Sequence, residues 1–390
     1  MRPLPRAVWL LGVVSLLTDM ASEAIYPLLP AFLAALGASR LQLGVIEGSA
    51  EAVASVGRVV SGRLSDRWQR RQPIVLAGYG LSSLVRPLMA LAAAPVAVWA
   101  IRFADRIGKG VRGAPRDALL AHHAPVAERG RVFGFHRAMD HLGAVLGPLA
   151  ALAVLWWSPG SYRTIFAATL VPGLVVIALL TRLEDPPPVP RADRDRAPAV
   201  PSWRGSPMPR SFWRLMLVLA VFTLGNSTDM FLLAWLGDVG LSAGDLLLIY
   251  AAQHVVKSAS SLYGGVVADR LGRRALIATG WLLYAAVYGG FALATSPAAL
   301  VALFVVYGLY HGMTEGAEKA LIADAVPAPA RGTAFGIYSA TLGLGGFAAS
   351  VLFGAIADRV SMPAAFMTGA GLALAAAAAL RAVTVERPEA

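Results

Sequence analysis

Asp19 and Glu23 stand four residues apart, and so do Glu47 and Glu51. On a helix that spacing puts each pair of acids on one face. Arg102, Asp105, Arg106, Lys109, Arg112 and Arg116 recur at intervals of three and four, a helical stripe of bases with a single acid. Smaller groups follow: His136, Arg137, Asp140 and His141; Asn226 and Asp229; His254 and Lys257; and His311, Glu315, Glu318 and Lys319. A carboxyl in a partly dry site can take up and release a proton. A basic stripe that its own helix cannot neutralise needs water, an anion or acids from a neighbour. The chain has three lysines, Lys109, Lys257 and Lys319, and one asparagine, Asn226. Genomic base composition explains why lysine is rare, but not why all three fall in apolar surroundings. Lysine's proton affinity responds strongly to burial, so any of the three could handle protons.

Those surroundings set the class of protein. Of the 390 residues 57% are hydrophobic and 15% charged, with a mean hydropathy of +0.62, where a soluble domain carries about 25% charge. Stretches such as 7–37, 74–94, 164–181, 275–295 and 362–380 supply the ~20 apolar residues that cross a bilayer. Lipid offers the backbone no hydrogen bonds, so such runs are helices. The sequence predicts an all-α membrane protein with spans near 7–36, 42–66, 74–94, 96–121, 131–157, 163–181, 211–237, 243–268, 274–295, 298–326, 332–357 and 361–381. The N-terminal run holds Asp19 and Glu23 and is read as the first span, not as a cleaved signal. One connection is long: residues 182–210 hold Pro186, Pro187, Pro188, Pro190 and Pro198 with alternating charge, a linker between residues 1–181 and 211–390.

An ionisable residue at the bilayer centre costs at least ~2.5–3.5 kcal/mol, so each needs a partner, water or a function. Spans 6, 9 and 12 have none in their middles, whereas spans 1, 2, 4, 5, 7, 8 and 10 do. Arg86 in span 3 is an exception, expected to meet an acid on a neighbour. The net charge of +11 does not signal nucleic acid, because the arginines cluster between spans. Seven lie within 182–214, and Arg67, Arg70 and Arg71 and then Arg270, Arg273 and Arg274 lie in two short loops. Loops of the other parity hold only Arg40, Arg163 and Arg359. Both termini are therefore expected in the cytoplasm, with the chain in the plasma (inner) membrane. With no cysteine, disulfides and thiolate metal sites are excluded. No metal or other cofactor is expected, since the histidines show no ligand spacing. Nor does the chain carry a nucleophile elbow, a phosphate loop or a His-Glu-x-x-His pattern, so it is not expected to be an enzyme.

The two arginine loops are copies. Gly62-Arg-Leu-Ser-Asp66-Arg67-Trp-Gln-Arg70-Arg71 recurs 203 residues later as Gly265-Val-Val-Ala-Asp269-Arg270-Leu-Gly-Arg273-Arg274, and Arg129-Gly130 recurs 202 residues later as Arg331-Gly332. Matching offsets indicate two pseudo-symmetric six-helix bundles, an arrangement in which a substrate site lies between repeats near the midplane. These loops resemble the signature of the major facilitator superfamily over essentially the whole chain. The second copy matches its pattern throughout; the first has Gln69 where glycine is usual. Gly143-x-x-x-Gly147-Pro148 is similar to part of the superfamily's antiporter motif, whose second glycine pair is absent.

The resemblance implies a central cavity with spans 3, 6, 9 and 12 outside. It also implies a gating role for Gly62, Asp66, Arg67, Arg70, Gly265, Asp269, Arg270 and Arg273, with Asp117 at the end of span 4 as the partner of Arg70. The expected function is secondary active transport of a small, ionised organic solute, driven by protons, by a monomer in the bilayer. Asp19 and Glu23 are expected to face the stripe of span 4 and pair with Arg102, Arg106 or Lys109. Efflux of amphiphiles, metals or siderophores is the alternative; a non-transporting receptor or scaffold is the alternative of another class.

Overall fold

The computed structural model describes residues 4–68, 70–123, 129–158, 161–185, 208–326 and 330–383, without the side chains of 66, 67, 129, 130, 262–270 and 332. Among the described residues the regular structure is helical, and it falls into twelve spans: Arg6–Ala35, Arg40–Trp68, Gln72–Leu91, Pro95–His122, Arg129–Trp157, Tyr162–Leu180, Arg210–Asp238, Ala243–Leu271, Arg273–Leu293, Pro297–Asp324, Arg331–Arg359 and Met362–Ala382. Nine of them are apolar and long enough to cross a membrane. The three that fall short on apolarity are spans 2, 4 and 8, which carry much of the intramembrane charge. Most of the proposed linker lies outside the described residues.

Local chemistry sets many of the ends. Proline opens spans 4, 10 and 12 within their first two positions, where its missing N–H costs nothing. Ser361 caps span 12 by accepting the Ala364 N–H at 3.2 Å. Asp185, after span 6, accepts the N–H groups of Arg71 and Gln72 at the start of span 3, at 2.9 and 2.7 Å.

The repeat read from the sequence is present in the helices. Spans 4 and 10 have 28 residues each, spans 5 and 11 have 29 each, and spans 2 and 8 have 29 each. The chain divides into two compact units: residues 1–38, 49–189 and 241–251 in one, and 39–48, 190–240 and 252–390 in the other. In the first unit span 1 packs on spans 5 and 6, and span 3 on spans 4 and 6. In the second, span 7 packs on spans 11 and 12, and span 9 on spans 10 and 12. The starts of spans 2 and 8 cluster with the unit that holds the other half of the chain. In the second unit Asp358 accepts the N–H groups of Arg40 and Leu41 at 2.9 and 2.8 Å, capping span 2, while the Arg40 guanidinium pairs with Asp238.

Candidate functional site

In the first unit the site is built around span 4. Glycines let its neighbours come close. A Cβ at Gly108 would strike the Gly78 carbonyl and Ser82 on span 3, and one at Gly110 would strike Ala54 and Gly57 on span 2. The glycines flanking Lys109 thus admit two helix backbones. Gly143 and Gly147 do the same for span 5, which they set against Leu16, Asp19 and Met20 of span 1.

This tight packing converges the charges. Asp105, 3% exposed, accepts a charge-assisted bond from Arg86 at 2.9 Å and lies 3.7 Å from Arg102. Arg86 therefore meets an acid of a neighbouring span, as expected, and also donates to the Thr18 carbonyl of span 1 at 3.3 Å. The Glu51 carboxylate pairs with Arg106 at 3.1 Å. Arg112 donates to Ser82 at 2.9 Å and lies over the Tyr79 ring, 4.3 Å from its centroid. Lys109, midway along span 4, makes no ion pair among the described residues, although Arg106, Glu51, Asp19 and Glu23 all lie within electrostatic reach. Glu47 is buried.

Span 1 is broken beside the stripe. Its helix stops at Glu23, passes through a 3-10 turn at Tyr26–Leu28 and resumes at Leu29, as Pro27 and Pro30 lead one to expect. Glu23 accepts the Tyr250 hydroxyl at 2.6 Å, Tyr26 stacks on Tyr250, and Arg102 lies 5.9 Å from the Tyr26 ring centroid. Asp19 makes no direct ion pair with the stripe among the described residues. Asp19 instead lies within electrostatic reach of Lys109, Arg112, Glu23 and Asp140. Asp140 accepts the Ser15 hydroxyl and lies 3.5 Å from His136 one turn before it.

The second unit is different in kind. Span 7 is broken too: its helix ends at Gly225 and resumes at Met230. The break coincides with Asn226 and Asp229, and adding the repeat offset of 203 takes Glu23 to Asn226 and Tyr26 to Asp229. No proline breaks this helix. Tyrosines of spans 9 and 10 bond a freed carbonyl and the polar side chains at the break. Tyr284 donates to the Gly225 carbonyl at 2.9 Å, Tyr307 donates to Asp229 at 2.8 Å, and Asn226 donates to the Tyr310 hydroxyl at 3.1 Å. His311 lies 4.0 Å from Asp229. His254 is buried; it and Lys257 lie within electrostatic reach of His311, and Lys257 makes no ion pair among the described residues. Lys319 pairs with Glu315 one turn away at 3.0 Å on an accessible face, which is the ordinary structural use of a helical lysine.

One acid that the sequence placed in span 10 but did not single out is Glu318. It is 6% exposed and accepts bonds from Trp281 at 3.3 Å and Tyr338 at 2.8 Å, both neutral donors. Nothing local marks it, since both donors come from other spans.

Of the gating residues, Asp66, Arg67, Gly265, Asp269 and Arg270 have side chains outside the description. Gly62 packs near the Ala114 side chain. The expected Arg70–Asp117 pair is corrected: Asp117 is taken by Arg116 next to it at 2.8 Å, and Arg70 is exposed. In the second copy Arg273 does reach the end of its neighbour, pairing with Asp324 of span 10 and donating to the Ala320 carbonyl at 3.2 Å. Among the described residues no group of three or more His, Cys, Asp or Glu side chains could hold a metal ion.

Twelve helical spans in a six-plus-six repeat, with charge and broken helices inside each unit, define a multi-pass membrane protein. The model of the Major Facilitator Superfamily matches residues 11–253 and 215–390. An uncharacterized MFS-type transporter of Methanocaldococcus jannaschii is 30% identical over 380 residues, 96% of this chain and 94% of that protein. A probable 4-methylmuconolactone transporter of Cupriavidus pinatubonensis is 26% identical, over 63% of this chain and 59% of its own. Among solved structures, a D-xylose-proton symporter superposes with a TM-score of 0.76 over 97% of both chains, at 18% identity. The chain belongs to the major facilitator superfamily, and is a transporter of that family rather than an enzyme.

Proposed function

We propose that the chain carries a small, ionised organic solute by alternating access, coupled to protons. The observation that carries this reading is Lys109. It sits halfway along a buried basic stripe whose acids are committed to arginines, and it has no ion-pair partner of its own among the described residues. A cation held so is costly in lipid unless an anion or water meets it. An anionic group of the solute is that partner. Asp19 and Glu23, on the same side of the unit, are the proton-carrying groups. The two six-span halves move as bodies, and the paired arginine loops latch one face until the cycle opens it. The arginine distribution supports an inner-membrane protein with both termini in the cytoplasm.

The purified protein, heated with anionic, zwitterionic, cationic and neutral metabolites, is expected to unfold later only with solutes that carry an anionic group, because a ligand of the folded state stabilises it. Lys109→Gln should lose that response. Stabilisation by neutral or cationic amphiphiles alone would overturn the reading in favour of amphiphile efflux. In proteoliposomes, accumulation should collapse when the pH gradient is dissipated. Asp66→Asn should slow transport while leaving membrane insertion intact; unchanged kinetics would leave the loops a purely topological role.

A further inference from the structure

The two arginines that close the second loop part company. Arg273 turns to span 10 and its acid, Asp324. Arg274 makes no ion pair among the described residues, and neither does Arg381 at the far end of span 12. These two guanidinium-bearing residues line one groove of about 300 Å³ between span 9 and span 12, together with Ala278, Thr279, Leu282 and Leu380.

Three features give the groove a ligand. First, two guanidinium groups in one recess, neither ion-paired among the described residues, present forked donors suited to a phosphate. Second, span 9 starts at Gly272 with no side-chain cap, so the free N–H groups of its first turn lie beside Arg274. Third, the groove opens onto apolar side chains: Leu282, which lines it, is 42% exposed, and Leu374, two turns before Arg381 on the same face of span 12, is 50% exposed. Leu282 is eight residues beyond Arg274, about 12 Å along the helix. Both helices are apolar enough to cross a membrane, so that wall faces acyl chains. A free anion would use the bases and leave the apolar wall idle; a hydrocarbon would use only the wall.

We propose that this groove is a binding site for an anionic phospholipid. The phosphate is held by Arg274 and Arg381, and one acyl chain lies along Leu282 and Leu374. Basic recesses between spans suit such headgroups. The site uses none of the buried charges described above and does not depend on what the protein carries.

The test uses the full-length protein in a neutral detergent, titrated with phosphatidylglycerol, phosphatidylcholine or inorganic phosphate. The readouts are the thermal unfolding midpoint and lipid retained in native mass spectrometry. Phosphatidylglycerol should bind and raise the midpoint, while phosphatidylcholine and phosphate should not. Arg274→Gln with Arg381→Gln should weaken the response on the order of tenfold, and the double lysine variant should keep part of it. Arg381→Gln alone, at an exposed helix end, gives a folded control that should show an intermediate loss. Equal phosphatidylglycerol binding by the double glutamine variant would overturn the proposal, as would an equal effect of phosphate at the same concentration.

Discussion

Spans 4 and 10 have the same length, open on prolines 202 residues apart and pack against corresponding neighbours, yet their interiors share little chemistry. Carrying span 4 forward by 202 takes Arg102 to Phe304, Asp105 to Tyr307, Lys109 to His311 and Arg116 to Glu318. The first unit answers charge with charge: Asp105 joins Arg86 and Arg102, and Glu51 joins Arg106. In the second, tyrosines of spans 9 and 10 stack on one another and hand hydroxyls to Gly225 and Asp229, while Trp281 and Tyr338 hold Glu318. The repeat therefore preserves the backbone and both broken first helices, but not the means of satisfying buried polar groups. An ionic network is rigid and intolerant of a lost partner. An acid held by neutral donors leaves no buried cation behind when its charge is removed.

That contrast can be broken most directly by removing one acid from each unit. Asp105→Ala leaves Arg86 buried without its carboxylate and should cost about 3–5 kcal/mol, seen as a large fall in the thermal midpoint or as failure to purify. Glu318→Gln keeps an oxygen for one neutral donor and should cost about 1 kcal/mol. Equal losses would erase the distinction.

Next in size is Lys109→Gln. Solute affinity should fall about tenfold or more, the worth of one charge-assisted contact, with the thermal midpoint of the unliganded protein little changed. A fall in stability without a fall in affinity would make Lys109 a structural cation.

Coupling sharpens the comparison further. Glu23→Gln keeps a partner for Tyr250 but cannot carry a charge; it should abolish accumulation against a gradient while leaving solute exchange measurable. If Glu23→Gln accumulates as well as wild type and Glu318→Gln does not, the proton-carrying acid belongs to the second unit. The smallest effect is expected for Lys319→Ala, whose half-exposed pair with Glu315 contributes no more than about 0.5 kcal/mol; a larger loss of stability would show that this lysine belongs to the interior network.

The number of spans, the six-plus-six repeat and the break in span 1 were legible in the sequence, because each follows from local chemistry. Apolar length makes a membrane helix, a recurring loop marks a copy, and Pro27 with Pro30 bends a helix wherever it lies. The break in span 7 was not legible. Asn226-Ser-Thr-Asp229 contains no proline, and the freed carbonyl and polar side chains at the break are bonded by tyrosines more than fifty residues away. The sequence also showed that the stripe of span 4 needs acids, and it offered those of spans 1 and 2. Only the tertiary structure decided that Asp105 serves Arg86, that Glu51 serves Arg106 and that Glu23 meets Tyr250. The physical reason is that an ion pair forms only within about 4 Å. The rotation and axial offset of neighbouring helices decide which charges come that close, and here those are set by backbone contacts at Gly108, Gly110, Gly143 and Gly147.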